Sequence, residues 1–161
     1  MEILKDDYNK LVLSWDIPIQ TMTTVKNDKE YHSFRVSFPL DLKNYIESNV
    51  GSLDKIDFYE AAIASPAINV PDKIQNDFVR GSTVTFVAIG GSLPAGAVCV
   101  ASPKLVSFKK KGQLFVTLPK KVSLFKNLDV NVKSMLKYLL VYDNNVKDYL
   151  LLVDVINLDT S

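Results

Sequence analysis

The residues best equipped for chemistry in this chain are one histidine, His32, and one cysteine, Cys99. A thiol beside an imidazole loses its proton readily, and separation in sequence does not forbid contact in space, so the two could form a nucleophile and its base. Their surroundings argue against that pairing. His32 alternates with Phe34, Val36 and Phe38 on one face of an apolar segment, which predicts an inward position. Cys99 lies in Ala97-Val98-Cys99-Val100-Ala101, a small apolar strand in which a buried thiol is inert. A single histidine and a single cysteine also cannot supply the ligand sets of the common zinc sites.

Other candidate centres are incomplete. Gly91 and Gly96 have the spacing of the first half of a phosphate-binding loop, but Ala97 and Val98 stand where a lysine and a hydroxyl are required. Residues 90–96 therefore predict a tight connection between strands. Asp143, Asn144, Asn145 and Asp148 gather oxygen ligands as a calcium loop does, yet the glycine and the distant glutamate are missing, and a hairpin turn explains them better. Asp6 with Asp7, and Asp154 with Asp159, are read as solvated charge, and no pair of acids is set up to flank a glycosidic bond. Trp15 is the one tryptophan and the tyrosines are scattered, so no aromatic platform for a sugar is visible. The expectation is a chain with no catalytic residue, no metal site and no cofactor.

The basic residues are more suggestive. Lys104, Lys109, Lys110, Lys111, Lys120, Lys121 and Lys126, followed by Lys133 and Lys137, fall in a stretch with few acids. If they converge on one surface they could contact RNA phosphates, with Phe108, Phe115 or Phe125 nearby for base stacking. The competing reading is a solvated lysine-rich face. The formal net charge is only +1, so the whole chain supplies no field that draws in nucleic acid.

The elements that must position these residues are strands. With 161 residues the chain fits one domain, residues 1–161, in which residues 1–9 are a candidate flexible segment. Short runs rich in Val, Ile, Phe, Tyr and Thr, separated by Pro, Gly and Asn-Asp clusters, predict strands at 10–21, 31–38, 55–65, 83–89, 97–101, 104–108, 113–118, 138–142 and 149–158. Leu114, Val116 and Leu118 oppose Gln113, Phe115 and Thr117, and Lys109 to Gly112 stand where a turn is needed. The segment Leu150-Leu151-Leu152-Val153-Asp154-Val155-Ile156 is nearly continuous in apolar character, as a strand buried on both faces would be. Leu42, Tyr45, Ile46 and Val50 recur at helical spacing, with Asp41 to cap the start and Gly51 to end the helix. Weaker helical turns are predicted at 72–78 and near 130–136. The fold class expected is all-β: an antiparallel, jelly-roll-like β-sandwich with one or two short helices.

No apolar stretch approaches the roughly 20 residues of a membrane-spanning helix. Without a secretory pattern, an Asn-x-Ser/Thr acceptor or a second cysteine, the cytosol is the expected location.

In order along the chain, residues 34–40, a helix from Asp41, residues 56–66 ending at Pro66, Gly81-Ser82-Thr83-Val84-Thr85-Phe86-Val87, Leu118-Pro119 before Ser123-Leu124-Phe125, Tyr138-Leu139-Leu140-Val141-Tyr142 and residues 149–158 form a pattern. That pattern resembles the single-jelly-roll coat (capsid) proteins of small icosahedral RNA viruses. The resemblance covers most of the chain and is one of segment order. It implies a non-enzymatic virion protein that self-assembles into a homo-oligomer or shell, with RNA as a further partner, located in the virion or host cytoplasm. Two features depart from that family: residues 1–9 carry no Arg/Lys-rich arm, and no interfacial calcium set is evident. The alternative is a viral movement or matrix-type protein that binds nucleic acid or anionic membrane through the lysine-rich half.

Overall fold

The computed structural model describes residues 2–5, 11–62, 79–80, 83–89, 91–94, 96–108, 113–143 and 148–158. Its strands are β1 (Glu2–Lys5), β2 (Leu11–Lys26), β3 (Lys29–Phe38), β4 (Phe58–Ala62), β5 (Val79–Arg80), β6 (Thr83–Ala88), β7 (Val98–Ala101), β8 (Val106–Phe108), β9 (Gln113–Thr117), β10 (Ser134–Asp143) and β11 (Asp148–Asn157). One helix, α1 (Leu40–Asn49), follows β3, and one 3-10 turn, η1 (Ser123–Phe125), precedes β10. All pairings are antiparallel, in the order β7-β4-β6-β11-β10-β2-β3-β9-β8, with β1 also beside β2 and β5 beside β6. The sheet is not closed. Yet its two terminal strands, β7 and β8, are consecutive in the chain and joined only by residues 102–105. That connection spans at most about 18 Å fully extended, so the sheet must curl until its ends lie near each other. The connection is pinned beside the approach to β4: Ile56 N–H donates to Pro103 O at 2.9 Å and Leu105 N–H to Asp54 O at 3.2 Å.

Besides β1, which pairs with Leu11 to Ser14, β2 serves two longer neighbours in succession. Its first part pairs with β10 as far as Pro18, opposite Met135, and its second part pairs with β3 from Ile19 to Lys26. The changeover falls at the proline. By the alternation of the ladder, residue 18 would direct its N–H toward β3, and proline has none to give. Asn27 and Asp28 close the β2–β3 hairpin with φ of 54° and 62°, the left-handed pair of a two-residue turn whose twist matches the strands.

Burial follows from the position in the order. β10 and β11 are central, and Leu139, Leu140, Val141, Leu150, Leu151, Leu152 and Val153 are all buried, which bears out the two-faced burial expected of the last strand. On one face, Leu136, Tyr138, Leu140, Leu151 and Val153 meet Phe34, Val36 and Phe38 of β3, Val116 of β9, Phe58 of β4 and Leu42 and Ile46 of α1 in one core. On the other, Leu139, Val141, Leu150 and Leu152 pack with Ala61, Val84 and Phe86. Tyr138 is 1 % exposed, its ring edge-on to Phe38 with centroids 5.5 Å apart. Its hydroxyl donates to Ser37 O at a long 3.5 Å.

α1 forms where its apolar spacing requires, burying Leu42 and Ile46. It starts one residue before the expected cap: Pro39 is the N-cap, and Asp41 sits in the first turn. There its carboxylate accepts from Leu42 N–H at 2.9 Å and from the indole N–H of buried Trp15 at 3.0 and 3.1 Å. The helical turn expected near 130–136 is corrected. Asp129 takes the N–H of Asn131 through its side chain and that of Val132 through its carbonyl, and from Ser134 the chain joins the β10 ladders on both sides. The predicted turn at 72–78 lies outside the described residues. Within residues 1–9, Glu2–Lys5 pairs with β2 as β1.

The packing around Tyr138 yields a stability prediction. Tyr138→Ala should cost about 3–5 kcal/mol through the cavity it leaves. Tyr138→Phe should cost no more than about 1 kcal/mol, since it removes only a long hydrogen bond. Denaturant unfolding of both variants measures the difference.

Candidate interaction surface

The structure gives His32 and Cys99 separate settings. His32 is half-buried where β3 leaves the core, its Nδ1 3.1 Å from Thr23 Oγ1 and its Nε2 3.8 Å from Glu30. The inward face expected of it holds for Phe34, Val36 and Phe38, but the core ends before it reaches His32. Cys99 is exposed, contrary to the buried strand expected, because β7 ends the sheet order and among the described residues has only β4 beside it. Its Sγ lies 3.5 Å from Ser102 Oγ and 3.8 Å from Ala101 O. Among the described residues no group of three or more His, Cys, Asp or Glu side chains could hold a metal ion. Gly91 and Gly96, with φ of +90° and +78°, provide left-handed turns in the connection from β6 to β7 that side chains would strain. Among the described residues no helix is long and apolar enough to cross a membrane.

The candidate lysines divide. Lys120, Lys121 and Lys126 are exposed on the connection that wraps around η1 between β9 and β10, and none of the three has an ion-pair partner among the described residues. Lys104 is exposed on the separate β7–β8 connection, bridged to Lys55 through the backbone. Lys109, Lys110 and Lys111 lie outside the described residues. Lys137 faces Asp16 across the β10–β2 pair at 4.0 Å. Of the aromatic partners expected for bases, Phe115 and Phe125 are not on the surface, and the side chain of Phe108 lies outside the described residues. Phe125 is fully buried against Phe58, with centroids 5.3 Å apart, and Phe115 is buried beneath the Arg35 guanidinium at 4.3 Å. Apolar content alone marked these rings, and packing used them. Lys120 and His32 line a groove of about 320 Å³ with Phe34, Asn127, Leu128 and Asp129. The acid beside the two basic groups gives it mixed charge.

The most distinctive surface is the end of the β2–β3 hairpin. β10 accompanies β2 only to Pro18, and β9 accompanies β3 only from Arg35 to Phe38. Residues 19–34 therefore extend as a two-stranded ribbon, with Leu118 N–H donating to Phe34 O at its base and no further strand on either edge among the described residues. The ribbon is exposed from Thr23 to Tyr31, with Val25 67 % and Tyr31 53 % accessible. Two strands alone are marginal in water, so this element depends on the sheet at its base. The sequence reading ended one strand at residue 21 and began the next at 31. The missed signal is Met22-Thr23-Thr24-Val25, strand-forming in composition, running into Asn27-Asp28.

A second missed feature is a tyrosine cluster that joins α1 to the β10–β11 hairpin. Tyr149 stands edge-on to Tyr142 and Tyr45, with centroids 5.3 and 6.1 Å away, and its hydroxyl is 3.5 Å from that of Tyr45. The Tyr45 hydrogen bond, aided by desolvation and by the charge of Tyr45, pushes the Tyr149 hydroxyl up from 10.0 to about 12. A folded-state value above the unfolded one means the contribution to stability is complete below pH 10 and is lost as pH rises toward 12. Ultraviolet titration should show a late-ionising tyrosine, and Tyr45→Phe should bring that midpoint back toward 10; a Tyr149 midpoint unchanged by Tyr45→Phe would count against the hydrogen bond as its cause. In comparisons with protein-family models, curated proteins and solved structures, nothing matches the chain.

Proposed function

We propose that this protein is a structural subunit that assembles with copies of itself, of the coat or capsid-like kind its segment order resembles, and that it acts through contacts rather than catalysis. The observation that carries the reading is the ribbon of residues 19–34, which extends past its neighbouring strands and has no further strand along its outer edges among the described residues, as a surface for another chain would. The fold proposed beneath it is a jelly-roll-like sandwich. One feature supports that: β7 and β8, the ends of the sheet order, are tethered to each other, and strands from both halves of the order share one core. Purified protein should form defined oligomers or shells, visible by multi-angle light scattering and electron microscopy. A monomer at every salt and pH tested would overturn the reading.

A second reading has its own observation. Lys120, Lys121 and Lys126 lie within one connection without ion-pair partners among the described residues, as phosphate contacts would. If they bind RNA, a fluorescence titration should show affinity that falls steeply with salt and drops further in the Lys120→Ala/Lys121→Ala/Lys126→Ala variant. A flat titration at low salt removes this reading.

A further inference from the structure

The groove of about 320 Å³ beside His32 is lined by β3 and by the connection from β9 to β10, and it holds two opposite charges that do not meet. Lys120 and Asp129 both line it, both are exposed, and neither has an ion-pair partner among the described residues. The Asp129 carboxylate is held by its own turn, its Oδ1 accepting the Asn131 N–H at 2.9 Å. A cation and an anion left apart in one groove suit a ligand that carries a negative group at one end and hydrogen-bond donors at the other. Half-buried Leu128 adds apolar ground between them. On the ribbon side stands the half-buried ring of His32, with Thr23 Oγ1 3.1 Å from its Nδ1 and Glu30 3.8 Å from its Nε2. Packing has removed Phe115 and Phe125 as stacking partners for a base, and this imidazole is a further aromatic surface of that kind.

We infer that this groove seats one guanine nucleotide of a single-stranded RNA, with its phosphate at Lys120, its base on His32 and its Watson–Crick edge at Asp129. The inference rests on the RNA reading above and deepens it by naming the base. Guanine presents two adjacent donors on that edge, N1–H and the N2 amino group, and a carboxylate offers two acceptors side by side to meet them. Adenine, cytosine and uracil each place an acceptor next to their donor, which the carboxylate repels. The acid therefore costs affinity for every other base, and a difference of affinities is what specificity consists of. The groove lies at the small end of the about 300–1,000 Å³ typical of ligand sites, which fits one nucleotide and not a duplex. Lys121 and Lys126 do not line it, and on the same connection they are placed for neighbouring phosphates. The work divides accordingly: the lysines supply attraction that ignores sequence, and Asp129 supplies the choice of base.

Fluorescence anisotropy with two short single-stranded RNAs, one of alternating adenine and guanine and one with cytosine in place of guanine, measures that choice. The wild-type protein should bind the guanine strand about tenfold more tightly. Asp129→Asn keeps an oxygen for the Asn131 N–H but replaces the carboxylate with an amide, so it should erase the preference without weakening the cytosine strand. Lys120→Ala should weaken both strands equally and lower the salt slope by about one. Both positions are exposed, and circular dichroism checks that each variant keeps the wild-type spectrum. Equal binding of the two strands by wild type, or a guanine preference that survives Asp129→Asn, overturns the groove assignment while RNA binding stands. No binding of either strand at low salt overturns both.

Discussion

Residues 102–105 impose the constraint on which the rest of this structure depends. They join β7 to β8, strands at opposite ends of the order, across a distance that a flat sheet of this width could not offer. The sheet curls to meet that tether, and residues of β3 and β9 share one core with residues of β4, β6, β10 and β11. Phe38 against Tyr138 joins two strands that do not pair with each other, and Phe58 against Phe125 joins β4 to η1. Burial of this shared core supplies the free energy that holds the ends together. Glu60 adds a polar tie, its Oε1 accepting the Ser123 N–H of η1 at 3.2 Å.

A curled but unclosed sheet leaves edges, and the chain treats them unequally. β7 is short and carries exposed Val98 and Cys99. β8 is shorter still, with Val106 exposed. At the hairpin end, Pro18 separates the part of β2 committed to β10 from the part committed to β3, and the ribbon beyond it runs longer without a further strand on its outer edges among the described residues. Short edges are a common defence against unwanted pairing, so the length and neutrality of the β2 edge set it apart. Physical chemistry links self-assembly to that contrast rather than to a pocket: the groove by His32, with an acid beside its basic groups, suits one nucleotide rather than a second copy.

Much of this was legible in the residues themselves. Each strand expected from the apolar runs lies on the path of the sheet, and the continuous apolar character of residues 150–156 located the central strand, because a strand covered on both faces has no polar side to show. The helix after Phe38 followed from the spacing of Leu42 and Ile46. Less legible were the edges. Cys99 and Val98 have the composition of a core strand, yet they are exposed because no strand lies beyond β7 among the described residues. Phe115 and Phe125 had the composition of a stacking surface, and only contacts with residues distant in sequence, Arg35 over Phe115 and Phe58 against Phe125, cover them. Local spacing specifies which way side chains alternate, because that depends on the pleat of one strand. It cannot specify how far each neighbour extends. The ribbon, the register at Pro18 and the tyrosine cluster across α1 and β11 depend on where other strands stop, and tertiary structure alone decides that, since burial is shared among residues distant in sequence.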